Sequence, residues 1–394
     1  MVTRKILGIL IICVICSGCV GGDTRLVDQY NSIPTLPPHG ILLKEIPPGT
    51  DIIFSSVRHG LGHVDCLTED LQLKKNFILD PSCNRIIYRS GGHLALQRQL
   101  FTLDIETGDV SQITYSECLF VSGQVIDPTT LMTLTICEDN DQDGIISDRD
   151  NPDLYLLDLP SGDLDCLTCD LELNAINNPD YSHQNGKVVF SAQVDPVFHN
   201  FLFTIDSDKH LEQITNDQAY MDFDCAWSED ASLIAFNRLP APWFEHPAQI
   251  WLMNSDGTDL QQMTSGGSNP SGEGPHRRYP IGTDADADLS PDNTQIAFSR
   301  LRTGFENAPI GVWELVVIDV ESGAERVLDS SFANMVPEWK SGGIVFTRQI
   351  GGTDPMEVKQ ALYLYRDGQF QALETFPFDV FPIGAFGGSW VEWE

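Results

Sequence analysis

In the stretch "CEDNDQDGIISDRD" (137–150), Asp139, Asp141 and Asp143 alternate and Gly144 follows them. Alternating carboxylates in one short loop gather hard oxygen ligands, and a hard divalent cation takes about six to eight of these. On the ruler of a twelve-position Ca2+ loop the three aspartates fall at positions 1, 3 and 5, and Gly144 at 6, where the chain turns sharply. Ile145 at position 7 would offer its backbone carbonyl, Ser147 at 9 would act through water, and Asp150 at 12 would complete the set. Asp is shorter than the Glu usual at that last position, so weak binding is expected, in a structural role. The competing reading is a solvated acidic turn that holds no ion.

A second acidic set lies further along. Asp222 and Asp224 precede "CAWSED", and Asp284 and Asp286 take the matching places in "TDADADLSPD". Residues two apart in a strand share a face, so each pair is expected on one side. Four converging carboxylates repel one another unless a cation or a basic group neutralises them. The expectation is either a second cation site or pairing with arginine, with Arg277 and Arg278 as the nearest candidates.

Other chemistry is sparse. Cys166 and Cys169 in "DCLTCD" have redox or zinc spacing, but no second CxxC or histidine pair accompanies them, so a structural role is expected. No GxSxG, HExxH or phosphate-loop motif occurs. The histidines, among them His59, His63, His93, His183, His199 and His276, are scattered. Trp227, Trp251, Trp313 and Trp339 recur at matching strand positions and read as packing. Trp243 and Phe244 stand outside that pattern, as a partner contact or as buried residues.

The elements that must position these residues are strands. "LMTLTIC" precedes the first acidic loop and "DLYLLDL" follows it, so no helix flanks it. One phrase recurs: "LDIETGDVSQIT" (103–114), "LDLPSGDLDCLT" (157–168), "TIDSDKHLEQIT" (204–215) and "MNSDGTDLQQMT" (253–264), with further copies from 57, 318 and 364. Upstream of them lie apolar runs such as "RIIYRS", "KVVFSA", "LIAFNR", "QIAFSR" and "GIVFTR", each preceded by turn residues. Periods of about 45–50 residues mark propellers or solenoid arrays. The predicted fold is all-β: a β-propeller of four-stranded antiparallel blades, seven of them, or six if the weak first unit is not a blade. The C-terminal strand in "FGGSWVEWE" (386–394) is expected to join the N-terminal strands and close the ring.

The units "WSEDASLIAFNR" and "LSPDNTQIAFSR", with "QIWLMNSDGTDL" downstream of the first, resemble the repeats of TolB-type propellers over roughly residues 40–394. The resemblance implies the fold and says little of function, because propellers host many activities, so TolB's envelope role is not carried over as the first choice. Relatives of this type include pectin-fragment lyases that use histidine-bound metal, and peptidases that carry a hydrolase domain after the propeller. This chain is expected to stop where the ring closes.

Arg4 and Lys5 precede an apolar run, Ile6 to Ile15, that is too short to span a bilayer. "CSGC" (16–19) resembles a bacterial lipobox, which implies lipidation at Cys19. Residues 1–18 then read as a signal peptide, 19–40 as lipid-attachment site and tether, and 41–394 as the propeller. An ordinary secretory peptide and a retained anchor are the other readings, and all three place the chain outside the cytoplasm. There are 57 acidic side chains against 23 basic ones, and the net charge of −34 disfavours nucleic acid as a partner. The functional expectation is a monomeric, Ca2+-binding, lipid-anchored scaffold, non-enzymatic, for an envelope protein or glycan. A glycan lyase or hydrolase with its site at the channel mouth, or a TolB-like adaptor, are the alternatives.

Overall fold

The computed structural model describes residues 41–42, 53–58, 61–66, 74–79, 85–90, 99–104, 109–147, 149–194, 199–241, 246–266, 281–303, 312–340, 343–350, 359–375 and 390–391. Cys19, His59, His93, Trp243, Phe244, His276, Arg277 and Arg278 lie outside them. Two compact units divide the chain, one of Met1–Cys169 with Ile383–Glu394, the other of Asp170–Pro382.

In the first unit, β1 (Ile41–Leu42) pairs antiparallel with the C-terminal β28 (Trp390–Val391), through Ile41 opposite Val391 and Leu42 opposite Trp390. β2 (Ile53–Arg58) and β3 (Leu61–Cys66) form a hairpin. Two four-stranded meanders follow. The first is β4 (Lys74–Leu79), β5 (Arg85–Ser90), β6 (Leu100–Asp104) and β7 (Val110–Gln112). The second is β8 (Leu119–Asp127), β9 (Thr130–Ile136), β10 (Asp153–Asp158) and β11 (Leu164–Cys166).

The second unit repeats the plan four times. Its sheets are β12 (Asn174–Tyr181) to β15 (Leu211–Gln213) through β13 (Lys187–Gln193) and β14 (Asn200–Asp206), then β16 (Tyr220–Trp227), β17 (Leu233–Pro240), β18 (Gln249–Asn254) and β19 (Gln261–Gln262). β20 (Asp284–Leu289), β21 (Gln295–Thr303), β22 (Val312–Asp319) and β23 (Glu325–Asp329) form the third. β24 (Ala333–Lys340), β25 (Gly343–Ile350), β26 (Lys359–Arg366) and β27 (Gln369–Thr375) form the last. Among the described residues there is no helix.

The second strand of each sheet carries the packing. Phe190, Phe236, Phe298 and Phe346 occupy one position of the repeat and are fully buried. Burying such a side chain contributes about 1.5–3 kcal/mol. Strand alternation then splits the strand between two neighbours. Ile234 and Phe236 pack with Val189 and Leu202 of the preceding sheet, whereas the small Ala235 packs with Leu289, Phe298 and Val316 of the following one. Trp227 and Trp313 are buried, and Trp251 and Trp339 lean on core clusters, which is the packing role expected of them.

The recurring Thr also has a physical reason. Thr114, Thr168, Thr215 and Thr264 are buried, and their Oγ1 atoms accept the N–H of Leu100, Leu154, Leu202 and Ile250 at 2.9–3.0 Å. A short outer strand is thereby pinned to the start of the third strand, where a buried amide would otherwise go unpaired.

Candidate metal centre

The acidic loop lies between β9 and β10. Its base is tied on one side by the Cys118–Cys137 disulfide, next to the opposed pair Leu119 and Ile136. Ile146 packs on Leu119 and Ile136, so the apolar residue of the loop is anchored on the sheet while Ile145 is exposed. Gly144 has φ +88°, a region that disfavours a Cβ, so glycine is required by conformation at the turn.

Oxygens of Asp139, Asp141 and Asp143 lie within 4.8 Å of one another and could hold a metal ion. The chain wraps around them through its own amides. Asp139 accepts the N–H of Asp143 (3.1 Å) and of Gly144 (2.7 Å), Asp141 accepts that of Asp143 (3.0 Å), and Asp143 that of Ile145 (2.9 Å).

Asp150 is placed differently from its three partners. It is buried, and its carboxylate accepts the N–H of Asn140 (2.7 Å), Asp141 (3.2 Å) and Ser147 (2.9 Å). Burial alone would raise its pKa, but these three amides outweigh it and hold the carboxyl below the ordinary range. Asp150 thus closes the loop by binding both of its limbs, a role the position ruler does not reveal. Ser147 uses its Oγ to accept the N–H of Arg149 at 3.2 Å.

The second acidic set is not one converging group. Bulges at Phe223/Ala226 in β16 and at Ala285/Asp288 in β20 break the alternation, and Asp224 and Asp286 both take φ +55°. Asp222 and Asp224 are therefore parted. Asp222 faces Arg238 across the strand pair in a bidentate ion pair of 2.6 and 2.7 Å, both side chains fully buried. Asp284 holds Arg300 in the same way at 2.5 and 3.0 Å, and Glu325 takes the other edge of that guanidinium at 2.5 and 2.9 Å. Burial pushes both aspartates up and the arginines oppose it. In the last sheet Asn334 stands in the aspartate's place and accepts from Arg348 at 3.0 Å, while Asp329 takes another nitrogen of the same group.

Arg238 lies over the rings of Tyr220, Phe236 and Trp251, and Arg348 over those of Phe332, Phe346, Tyr363 and Phe370. The neutralising arginines are thus Arg238 and Arg300 of the strands themselves. Asp224 instead links three successive sheets. It accepts from Asn178 (2.8 Å), from Asn237 (3.0 Å) and from the N–H of Asp286 (3.2 Å).

Cys166 and Cys169 are joined in a disulfide, and Cys225 is free and buried. His183 meets Tyr181 edge-on, His199 stacks on Phe201, and His210 contacts Asp206. Among the described residues no histidine belongs to a metal-capable group. Burial, then Asp153 and Glu138, push the Tyr155 hydroxyl up to about 12 beside the disulfide.

Repeated four-stranded meander sheets, packed through their second strands and carrying an inserted acidic loop, define a β-propeller-type protein. No family profile and no curated protein matches the chain. Solved structures do. A puromycin-hydrolysing peptidase from Mycobacterium tuberculosis aligns with TM-score 0.60 at 11% identity, over 83% of this chain and 51% of the peptidase. An oligogalacturonate lyase in complex with manganese aligns with TM-score 0.54 at 16% identity, over 84% and 86% of the two chains. TolB from Acinetobacter baumannii aligns with TM-score 0.47 at 14% identity, over 96% of each. At these identities the likeness to the peptidase and the lyase carries the fold and not an activity.

Proposed function

We propose that this chain is an extracytoplasmic, Ca2+-stabilised propeller, anchored through Cys19, that binds an envelope protein or glycan without catalysing a reaction. The observation that carries the metal half is the convergence of Asp139, Asp141 and Asp143 on one point of a loop held by Ile146 and Cys137. An all-oxygen set favours Ca2+ over softer metals, and extracellular Ca2+ modules bind at about 10⁻⁴–10⁻³ M. Ca2+ would be held by the three aspartates with the Ile145 carbonyl and a water on Ser147. It would supply a crosslink between the limbs that Asp150 already ties. Calorimetry of the chelated protein against Asp143→Ala tests this, and equal heats of Ca2+ binding in the two would sink it.

The scaffold half rests on the fate of the other buried charges. In the second unit the deep carboxylates Asp222 and Asp284 are paired with Arg238 and Arg300, so they brace the sheets and are not poised for acid–base work. The pairings of β1 with β28 and of β2 with β3 support a seventh blade that joins the two chain ends. A pull-down with peptidoglycan-associated lipoprotein and a binding assay with oligogalacturonate separate protein from glycan partners. Unsaturated products released from the oligosaccharide would establish a lyase instead.

A further inference from the structure

We propose that Cys166, Cys169 and Asp153 form a redox-gated site for a thiophilic divalent cation such as Zn2+, distinct in chemistry from the all-oxygen loop. Asp153 opens β10 and Cys166 ends β11, where Tyr155 and Cys166 are opposed. One carboxylate oxygen and both Sγ atoms lie within 4.8 Å of one another. Two thiolates from a Cys-x-x-Cys turn, one carboxylate and a water would make a four-coordinate set of the kind Zn2+ accepts.

Contacts beyond the S–S bond also position the set. The N–H of Cys169 donates to Cys166 Sγ at 2.9 Å, which fixes the turn from the backbone. Thr168 Oγ1 accepts the N–H of Leu154 at 3.0 Å and donates to Asp153 Oδ1 at 2.6 Å, so the threonine orients the carboxylate through that one oxygen. Tyr155 OH lies 3.2 Å from Cys169 Sγ. Cys169 is exposed, and a small reductant can reach it.

In the oxidised protein the S–S bond occupies the sulfurs. A small dithiol attacks it by exchange. Two electrons and two protons pass to the protein, giving two thiols, and the reductant leaves as its own disulfide. Metal binding then displaces the two thiol protons to solvent. Reduction of this bond therefore switches the site on.

The full chain, reduced with a small dithiol, desalted without oxygen and kept in excess Ca2+, is titrated with Co2+ as a coloured stand-in for Zn2+. A thiolate-to-cobalt charge-transfer band saturating at one equivalent is expected, with no band in unreduced protein. The band should vanish in Cys166→Ser and Cys169→Ser. It should persist in Asp143→Ala and in the Cys118→Ser/Cys137→Ser double variant. Affinity should drop about tenfold or more in Asp153→Asn. No band on reduction of the native chain overturns the proposal without recourse to any variant. So does a band that survives Cys166→Ser, or one of unchanged affinity in Asp153→Asn.

Discussion

The loop at 139–150 and the strand starts at 222 and 284 are both dense in aspartate, and they handle the charge in opposite ways. Asp222 and Asp284 are buried, and each is met by an arginine opposite it in register, Arg238 or Arg300. Asp141 and Asp143 are exposed and Asp139 is half-buried, and the hydrogen bonds to these three come from backbone amides of their own loop. A desolvated carboxylate costs several kcal/mol unless it is compensated, by an arginine for Asp222 and Asp284 and by three backbone amides for Asp150. A solvated cluster has no such need and can take a cation from the medium. Burial, more than the density of acid, separates a brace from a candidate ion site.

The sharpest way to break that contrast is Arg238→Ala, which strands the Asp222 carboxylate in the core. It should cost about 3–5 kcal/mol in urea unfolding, and the Asp222→Leu/Arg238→Met pair should recover most of it. A cost under about 1 kcal/mol would mean that water reaches Asp222 and that the two regions do not differ in kind. Next comes the loop. Ca2+ at a hundredfold its dissociation constant should add about 2.7 kcal/mol of stability, read as a rise in Tm that Asp143→Ala abolishes and Arg238→Ala does not. Thr215→Val tests the pins between strands: it removes the acceptor of the Leu202 N–H and should cost about 1–3 kcal/mol.

The smallest effect expected is at a surface turn. The Ser232 hydroxyl, then Asn293, hold the Asp230 carboxyl below its ordinary 3.8. A depressed folded pKa means that its contribution is full above the unfolded value of about 3.9 and is lost as pH falls through the folded one. Asp230→Asn should therefore lower Tm slightly at pH 7 and flatten the acid limb of the Tm profile below about pH 4. An unchanged acid limb would remove Asp230 from the account.

Much of the fold was legible because it is local. "KVVFSA", "LIAFNR" and "QIAFSR" became second strands as read, and the turns before the last two are closed by their own side chains, Ser228 on Asp230 and Ser290 on Asp292. The three aspartates of the loop converge because their spacing and Gly144 act within a few residues. Asp224 defeated the same kind of reading. A strand with one extra residue turns its side chains to new faces, and nothing in "MDFDCAW" announces that bulge.

By itself, then, the sequence determined the strand-turn repeat, the acidic loop and its place between two strands, since propensity and turn chemistry are short-range. The tertiary structure alone decided that Arg238 and Arg300 would neutralise Asp222 and Asp284, that Asp150 would tie the loop by backbone amides, and that Cys166 would pair with Cys169 beside Asp153. Each of these depends on register, a bulge or burial, and those are settled only when separate strands desolvate one another.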